Sequence, residues 1–374
     1  MKIPGEYKRS YGGWKTFLPH KLPMVLDVSK SNHTAAEEVT HLLGQVEMCR
    51  TLLPNSDLLI YSSLQKEALA SSTIEGTIAS AEELVRFQAS HKTDREPVRE
   101  VGNYSQALSE GRSFLRNSPL TLKMILNLHD TLMQGVRGDD TAGKFKTSQN
   151  FIGGYGDDAA FIPAAPEDVP DLMNNLECYI NEPQDHARII KVALTHYQFE
   201  TIHPFGDGNG RVGRLLILLQ LIHHGLLSDP LIYPSVYFER RRTQYYDALQ
   251  GVREKGAWNA YLSYFLDGIS TQCRETISFT RTCIELESQM REQIKSVTRQ
   301  ASVHRVLEEF FKVPVLKVAQ IAVATGMSHN TVQSAVDALI RSGTVVEITG
   351  MLKGRIYLCR PIYSLIFDPA PSNR

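Results

Sequence analysis

The sequence HPFGDGNGRVGR occupies residues 203 to 214, between two apolar segments that we predict to be buried helices. Its glycines Gly206, Gly208 and Gly210 would let the main chain approach a ligand closely. The helix predicted to begin near Asn209 or Gly210 would turn its free N–H groups and the positive end of its dipole toward the same place. The stretch therefore predicts an anion-binding loop at the start of a buried helix, in a mainly α-helical core.

The charged residues of this stretch indicate which anion it binds. Arg211 and Arg214 are three residues apart, so they share a helix face and can hold phosphate oxygens in the two-pronged manner of a guanidinium. A carboxylate such as Asp207 repels phosphate unless a divalent cation lies between them, and we infer Mg²⁺. The imidazole of His203 titrates near neutrality and suits a general base. Together these residues predict a site for nucleotide phosphate transfer.

Each of these residues also has a purely structural interpretation. His203 could be a hydrogen-bonded core histidine, Asp207 a helix cap, the glycines a tight turn and the two arginines a solvated helix face. A structural loop, however, has no need of a base, a carboxylate, a glycine-rich turn and two arginines within twelve residues. The combination favours the functional interpretation.

The stretch has every fixed residue of the H-x-F-x-D-G-N-G-R-x-x-R signature and so resembles the Fic-domain proteins, which transfer AMP from ATP to a hydroxyl of a target protein. The resemblance extends to residues 193–200 and, more loosely, to most of the chain. It implies that His203 is the general base, that Phe205 anchors the loop and that Asp207 holds Mg²⁺. The residues that it implies for ATP binding are Gly208, Asn209, Gly210, Arg211, Val212, Gly213 and Arg214.

A second motif lies well upstream, at residues 71–76. It has the form [S/T]-x-x-x-E-[G/N] and resembles the inhibitory helix of Fic proteins, which implies inhibitory roles for Ser71, Glu75 and Gly76. Glu75 would pair with Arg214 and remove the guanidinium that should hold the γ-phosphate of ATP. The alternative is that Glu75 is a solvated residue before a glycine helix cap.

Two further segments have weaker signals. Residues 151–161 predict a β-hairpin, which resembles the family's flap and would hold a target protein by adding a strand to its edge; the alternative is an ordinary surface hairpin. Tyr246 lies where the family often lines the adenine pocket, although the pair Tyr245 and Tyr246 could equally belong to the core.

The rest of the chain predicts three regions. Residues 1–115 hold an irregular arm, predicted up to about Leu26, and regulatory helices; residues 116–285 hold the Fic catalytic core; residues 286–374 hold a helical connector and a winged helix-turn-helix domain. The winged helix is predicted from helices at 303–311, 316–324 and 328–341 followed by strands at 345–348 and 355–358. The outward face of its third helix is poor in positive charge, so DNA binding through 302–359 is only weakly supported against protein docking or dimer formation.

Length and composition set outer limits on the function. The 374 residues are enough for two or three folded units, and the net charge of -1 excludes an overall electrostatic attraction to nucleic acid or anionic membranes. The five cysteines are scattered and form no C-x-x-C pair, which favours reduced thiols and a cytoplasmic location. The apolar run 215–222 is too short to cross a membrane, so we expect no membrane association.

The sequence therefore predicts a protein adenylyltransferase that uses ATP and Mg²⁺ (or Mn²⁺) to modify a Ser, Thr or Tyr hydroxyl. We expect Glu75 to restrain it, within one chain or across a homodimer, and the target to dock on the flap at 151–161. Two alternatives stay open. One is a winged-helix transcriptional regulator whose Fic fold senses nucleotide; the other is an enzyme that removes AMP, with Glu75 positioning the water.

Overall fold

The structure is a computed structural model that describes residues 4–53, 55–90, 93–183 and 186–368. The described chain is mainly α-helical, as the sequence predicts, with two small antiparallel sheets. Its helices are α1 (Lys30–Leu52), α2 (Asp57–Ile74), α3 (Ala81–Ser90), α4 (Glu96–Leu115), α5 (Leu122–Met133), α6 (Val169–Asn181), α7 (Arg188–Ile202), α8 (Asn209–His223), α9 (Pro234–Arg240), α10 (Arg242–Lys255), α11 (Trp258–Val297), α12 (Ala301–Phe310), α13 (Val318–Thr325), α14 (His329–Arg341) and α15 (Arg360–Phe367).

The N-terminal arm, which we predicted to be irregular, forms a β-hairpin. Strands β1 (Gly5–Arg9) and β2 (Lys15–Pro19) pair in antiparallel fashion, and Gly13, with a φ of 84°, closes the turn between them. Such a φ is accessible to glycine without strain, so the glycines that suggested irregular chain are in fact the turn of the hairpin. Phe17 of β2 is completely buried and fixes the hairpin on the helical body.

Helices α7 and α8 form the centre of the molecule and carry the loop that joins them. Every residue from 189 to 202 of α7 is buried, and most of α8 is buried too. A helix that is buried on all sides needs protein around its whole circumference, and α1, α2, α4, α6 and α11 supply it. The start predicted for α7, near Asp185, lies outside the described residues.

Helix α11 connects the core to the C-terminal part of the chain. It runs for 40 residues, so the predicted connector at 285–299 continues a core helix, and the predicted domain boundary at residues 285 and 286 falls inside it. Along its first half α11 packs on α1, α7 and α10. No break in the sequence pattern marks the point where this helix leaves the core.

The C-terminal unit has the element order helix, strand, helix, helix, strand, strand, which is the order expected of a winged helix-turn-helix. Its strands β3 (Val315–Lys317), β4 (Val345–Glu347) and β5 (Ile356–Cys359) form one sheet in the order β3-β5-β4. We predicted a helix from Leu316; that residue lies instead in β3, because pairing with Tyr357 on β5 satisfies its main chain. Among the described helices, none combines the length and apolarity needed to cross a membrane.

Candidate active site

The loop between α7 and α8 is held in one shape by its own side chains. His203 ends α7 in the left-handed region with a φ of 53°, and its N–H donates to the carbonyl of Phe199 over 2.9 Å. Asn209 closes the loop, since Phe205 N–H donates to its Oδ1 and its Nδ2 donates to Phe205 O, both over 2.8 Å. Helix α8 begins at Asn209, as predicted, and its first N–H groups have no acceptor within the helix.

A histidine that the sequence did not single out supports this loop. His129 of α5 stacks on Phe205, with ring centroids 3.8 Å apart and an interplanar angle of 3°. Gly143 N–H donates to His129 Nδ1 over 3.0 Å, so the ring proton lies on Nε2, which donates to the Asp207 carbonyl over 3.0 Å. Burial lowers the pKa of His129 to about 4 and keeps the ring neutral. The side chain thus fixes both the core and the rim of the loop.

His203, at the end of α7, has a neutral ring. Burial, followed by the charges of Lys146 and Arg253, lowers the pKa of His203 to about 3, so its ring is neutral at physiological pH. Its Nδ1 is buried and has no hydrogen-bond partner among the described residues. An unprotonated imidazole beside an anion-binding helix start can accept a proton.

Asp207 lies at the mouth of the cleft in a cationic environment. Its Oδ1 accepts from Gly208 N–H over 2.6 Å, and its Oδ2 accepts from Arg137 Nε and Nη2 over 3.1 and 2.9 Å. Burial opposes ionisation of this carboxyl, but Arg211, the Gly208 N–H and Arg137 together lower the pKa of Asp207 below its usual range. It is therefore a carboxylate at physiological pH.

The donor set around Asp207 can be compared with what Mg²⁺ requires. Among the described residues no three His, Cys, Asp or Glu side chains cluster as a metal site. Mg²⁺ bound to a nucleotide commonly needs only one or two protein carboxylates, with phosphates and waters as the other ligands. Asp207 fits that requirement, because its carboxylate lies at the open cleft and the Arg137 side chain that covers it is 84% exposed.

Arg214 is held by Ser71 of α2 and by Glu75, the residue after α2, and the pairing with Glu75 is the one that the resemblance implied. Its side chain is 1% exposed, and Nη2 donates to Glu75 Oε1 over 2.7 Å. Nε and Nη2 also donate to Ser71 Oγ and Ser71 O, both over 2.9 Å. Burial alone would lower the pKa of Arg214, but the neighbouring groups, Glu75 foremost, raise it above its ordinary value. The solvated-face interpretation of this arginine is wrong.

Glu75 reaches the start of α8 itself. It caps the end of α2, and Gly76, with a φ of 89°, turns the chain away immediately afterwards. A Cβ placed on Gly210 would overlap Glu75 Oε1. The Glu75 carboxylate therefore lies against the first turn of α8, on the surface where the sequence predicts phosphate.

Arg211 has a partner that the sequence did not reveal. Its Nη1 donates to Glu100 Oε2 over 3.0 Å, and Thr77 Oγ1 donates to the same oxygen over 2.7 Å. Arg211 is 3% exposed, so it too is not on a solvated face. An open cleft of about 490 Å³ brings this residue together with Glu75, Asp207 and Arg137.

The remaining predicted ATP ligands differ in how far they are exposed. Tyr246 is 42% exposed, and its ring lies against Tyr245 and Arg242, with a ring-centroid distance of 5.3 Å to Tyr245. Tyr245 belongs to the core, where its hydroxyl pairs with His196 Nε2 over 2.8 Å. Val212 is completely buried and Gly213 faces Glu200 inside the core, so neither presents a side chain to the cleft. The prediction of these two residues as ATP ligands gains no support.

Gly213 is a packing requirement, which a substitution can test. A Cβ there would overlap Oε1 of the buried Glu200, whose pKa burial raises to about 7. We expect Gly213→Ala to lower the free energy of unfolding by roughly 1–3 kcal/mol, measured by urea denaturation. The matched control is Gly251→Ala in α10, where the new Cβ meets only Ala257 Cβ at 3.7 Å and alanine favours the helix. Equal stability of the two variants would contradict this account.

The predicted flap hairpin is only partly formed. Ile152 and Phe161 make a single antiparallel bridge, with N–H to O distances of 3.0 and 3.1 Å, and a 3-10 turn at Gly156–Asp158 follows instead of strands. Gly153, Gly154 and Gly156 have φ values of 70°, 153° and 59°, which are incompatible with continuous strand pairing. The predicted pairing of the two apolar pieces around a turn is thus present, but it is limited to one bridge.

The N-terminal hairpin lies beside this flap. Phe17 N–H donates to Ile162 O over 3.0 Å, and Trp14 makes an edge-on contact with Phe151 at a centroid distance of 5.0 Å. Residues 4–20 thus support the flap from one side.

The sequence and fold were compared with known proteins. Residues 119–221 match the Fic/DOC family and residues 33–113 match the Fic/DOC family N-terminal region. The chain is 34% identical over 155 residues to the protein adenylyltransferase Fic of Aedes aegypti, an alignment that spans 41% of this chain and only 28% of that protein. It is 33% identical over 146 residues to the protein of the same name from Drosophila melanogaster, spanning 38% and 27%.

Solved structures show the same fold. A Fic family protein from Desulfovibrio desulfuricans G20 superimposes with a TM-score of 0.59 at 18% identity, covering 89% of this chain and 97% of that one. Fic-1 of C. elegans (residues 134–508) superimposes with a TM-score of 0.52 at 20% identity, covering 66% and 72%. Residues 33–113 and 119–221 are therefore similar in sequence to the Fic/DOC family, and the chain has the fold of these solved structures.

Proposed function

We propose that this chain is a protein adenylyltransferase, which transfers AMP from ATP to a Ser, Thr or Tyr hydroxyl of a protein and releases diphosphate. The observation that carries the proposal is the convergence of His203, Asp207, Arg211 and Arg214 around the first turn of α8. The relatives named protein adenylyltransferase Fic support it over the aligned region, which is 28% of the length of the mosquito protein.

The chemistry needs little beyond positioning and charge stabilisation. The hydroxyl oxygen forms a bond to the α-phosphorus of ATP while the bond from that phosphorus to the diphosphate breaks. His203 accepts the hydroxyl proton, since its ring is neutral over the physiological pH range. The N–H groups that begin α8, with Arg211 and Arg214 once they are free, stabilise charge on the phosphates.

Asp207 would hold the Mg²⁺, or Mn²⁺, that accompanies ATP. When bound, this ion neutralises phosphate charge as a Lewis acid. We expect Asp207→Asn to reduce AMP transfer by about 100-fold or more at fixed Mg²⁺, because a neutral amide is a poor ligand for a hard cation. The rate is measured across a Mg²⁺ titration, with Asp27→Asn, an exposed aspartate ahead of α1, as the control. A normal rate and normal Mg²⁺ dependence for Asp207→Asn would exclude it as the metal ligand.

Glu75 is proposed to restrain the enzyme. It occupies the guanidinium of Arg214 and lies on the first turn of α8, so ATP cannot place its γ-phosphate there. In the alternative enzymatic role, Glu75 would position a water molecule that removes AMP from a modified protein. The same site residues would then catalyse the removal of AMP and not its transfer from ATP.

Four sequence predictions stay proposals. These are docking of the target on the flap at 151–161, a homodimer, weak DNA contact through 302–359, and a cytoplasmic location. The five cysteines, all free, support the last of these.

The test of the proposed function separates AMP transfer from its alternatives. The Glu75→Gly variant is incubated with Mg²⁺ and ATP labelled at either the α- or the γ-phosphorus, and the protein itself and cell lysate serve as acceptors. We expect α-label on protein, no γ-label, and release of diphosphate. Transfer of γ-label would mean phosphorylation, and ATP binding with no labelling would favour a nucleotide sensor. Loss of AMP from a previously modified protein would identify the reverse reaction.

A further inference from the structure

A buried lysine links the base of the flap to the loop that carries His203. Lys146 is 6% exposed, and its Nζ donates to Asn150 Oδ1 over 2.7 Å. The main-chain N–H of Lys146 donates to Pro204 O over 2.9 Å, and Asn150 Nδ2 donates to Phe205 O over 2.9 Å. The two residues thus bind the two carbonyls that directly follow His203.

Structure alone gives little reason for an ammonium group at this position. A buried charge is costly unless a partner of opposite charge offsets it, and among the described residues the side-chain partner of Lys146 is the neutral amide of Asn150, with no carboxylate acting on it. Burial lowers the pKa of Lys146 to about 7. After burial, the charge of Lys146 is the largest of the effects that lower the pKa of His203. Costly buried groups of this kind are concentrated at functional sites.

We propose that Lys146 and Asn150 form a latch that sets the distance between the flap and His203, and that Lys146 is a positioning residue for AMP transfer. This inference rests on the proposed function. The flap holds the segment with the acceptor hydroxyl, whereas the loop holds the base, so the latch determines whether the two meet. A shift of about 1 Å between such groups can cost roughly 100-fold in rate.

The test uses the Glu75→Gly chain as parent and adds Lys146→Met, Lys146→Arg or Asn150→Ala. The control is Lys144→Met, a lysine two residues away that is exposed. We expect Lys146→Met and Asn150→Ala each to slow self-labelling at saturating ATP by about tenfold or more, with little change in the ATP dissociation constant. Lys146→Arg should keep most of the rate of the parent chain. The double variant Lys146→Met with Asn150→Ala should be no slower than Lys146→Met alone, because both changes break the same contact.

Several outcomes would overturn the latch. A normal rate for Lys146→Met would do so, as would a parallel loss of ATP affinity, or failure of Lys146→Arg to recover. Hydrogen exchange of the amides at 203–210 gives a readout without activity, and we expect faster exchange in Lys146→Met than in Lys144→Met. If the parent itself shows no labelling, the proposed function fails, and the exchange experiment still decides for or against the latch.

A second, independent observation concerns helix α3, which follows the inhibitory segment. Val85 and Ala89 of α3 are buried in a small apolar cluster with Val315, Ile356 and Leu358 of the C-terminal sheet. Helix α3 packs directly on strand β3, so this cluster joins the C-terminal sheet to the N-terminal region.

The chain between Glu75 and α3 is short and well anchored. Thr77 binds Glu100, which also binds Arg211. Ser80 caps α3, since its N–H and Oγ both donate to Glu83 Oε2 over 2.9 and 3.0 Å. A displacement of α3 would therefore pull on the segment that presents Glu75 to Arg214.

We infer that the C-terminal unit holds α3 in place and thereby keeps Glu75 paired with Arg214. This inference also rests on the proposed function. We expect Val85→Ala to raise self-labelling several-fold in the otherwise unmodified chain, but to add nothing to Glu75→Gly. The matched control, Val336→Ala, removes the same two methyl groups from a buried position of α14 outside this cluster.

Equal effects of Val85→Ala and Val336→Ala, or a rise that persists in the Glu75→Gly chain, would overturn this inference. Amide exchange at 72–80 should quicken in Val85→Ala and not in Val336→Ala. Amide exchange does not depend on AMP transfer, so it tests the link between the C-terminal unit and Glu75 even if Glu75→Gly is inactive. An inactive Glu75→Gly chain would itself count against the proposed function.

Discussion

Replacing Glu75 by glycine is expected to raise AMP transfer by about 10- to 100-fold. The Arg214 to Glu75 bond of 2.7 Å is charge-assisted and largely buried, and bonds of this class are worth about 1.5–3 kcal/mol. Breaking it frees the guanidinium for the γ-phosphate, and each 1.4 kcal/mol corresponds to about tenfold. The measurement is the initial rate of labelling from α-labelled ATP at several ATP concentrations.

Two controls separate the loss of this contact from a general effect of glycine. Glu37→Gly removes an exposed glutamate from the interior of α1, where glycine costs more helix propensity than at the C-cap position of Glu75, and it should leave the rate unchanged. Glu75→Gln keeps the shape and removes the charge, so its rate should lie between those of wild type and Glu75→Gly. If Glu75→Gly binds ATP but labels no faster than wild type, the restraint lies elsewhere.

What could be predicted from the sequence is mostly what is close together along the chain. The loop at 203–214 brings its base, carboxylate, glycines and arginines together through local backbone geometry, and its helix starts where predicted. The contact between Glu75 and Arg214 spans 139 residues and could be predicted only through a family resemblance.

The partners that were missed have no local signature. His129 meets Asp207 across 78 residues, and Arg211 meets Glu100 across 111. Such contacts depend on how α4 and α5 pack against α8, and helix periodicity does not encode that packing. A lone histidine or glutamate on a predicted helix is ordinary until tertiary packing places it beside the loop.

The errors in secondary structure have similar causes. Gly12 and Gly13 suggested an irregular arm because a turn between two short strands and an unstructured segment share the same composition. In the flap, the glycines form the predicted turn, but their positive φ values limit the pairing to the bridge between Ile152 and Phe161. The short strand β3 depends on β5, which lies about 40 residues later in the chain.

Removing the base is expected to have the largest effect of all. In the Glu75→Gly chain, His203→Ala should reduce labelling by about 100- to 10,000-fold, the range for loss of a general base. His203 has a φ of 53°, which is unfavourable for alanine, so His203→Asn is the better variant because asparagine tolerates this conformation. Initial rates and ATP dissociation constants are measured for both variants.

The two quantities together show whether His203 acts in the chemical step. A base contributes to the transition state, so the rate should collapse while ATP binding stays within about twofold of the parent. His129→Ala is the contrasting variant: it removes the stack on Phe205 and should weaken ATP binding as well as the rate. Because burial and neighbouring charges lower the pKa of His203 to about 3, protonation of this ring should not reduce the rate between about pH 5 and 8. A rate that falls at low pH with an apparent pKa near 6.5, and loses this dependence in His203→Asn, would contradict this prediction. It would mean that water surrounds the His203 ring in the working enzyme and leaves its pKa at the ordinary value.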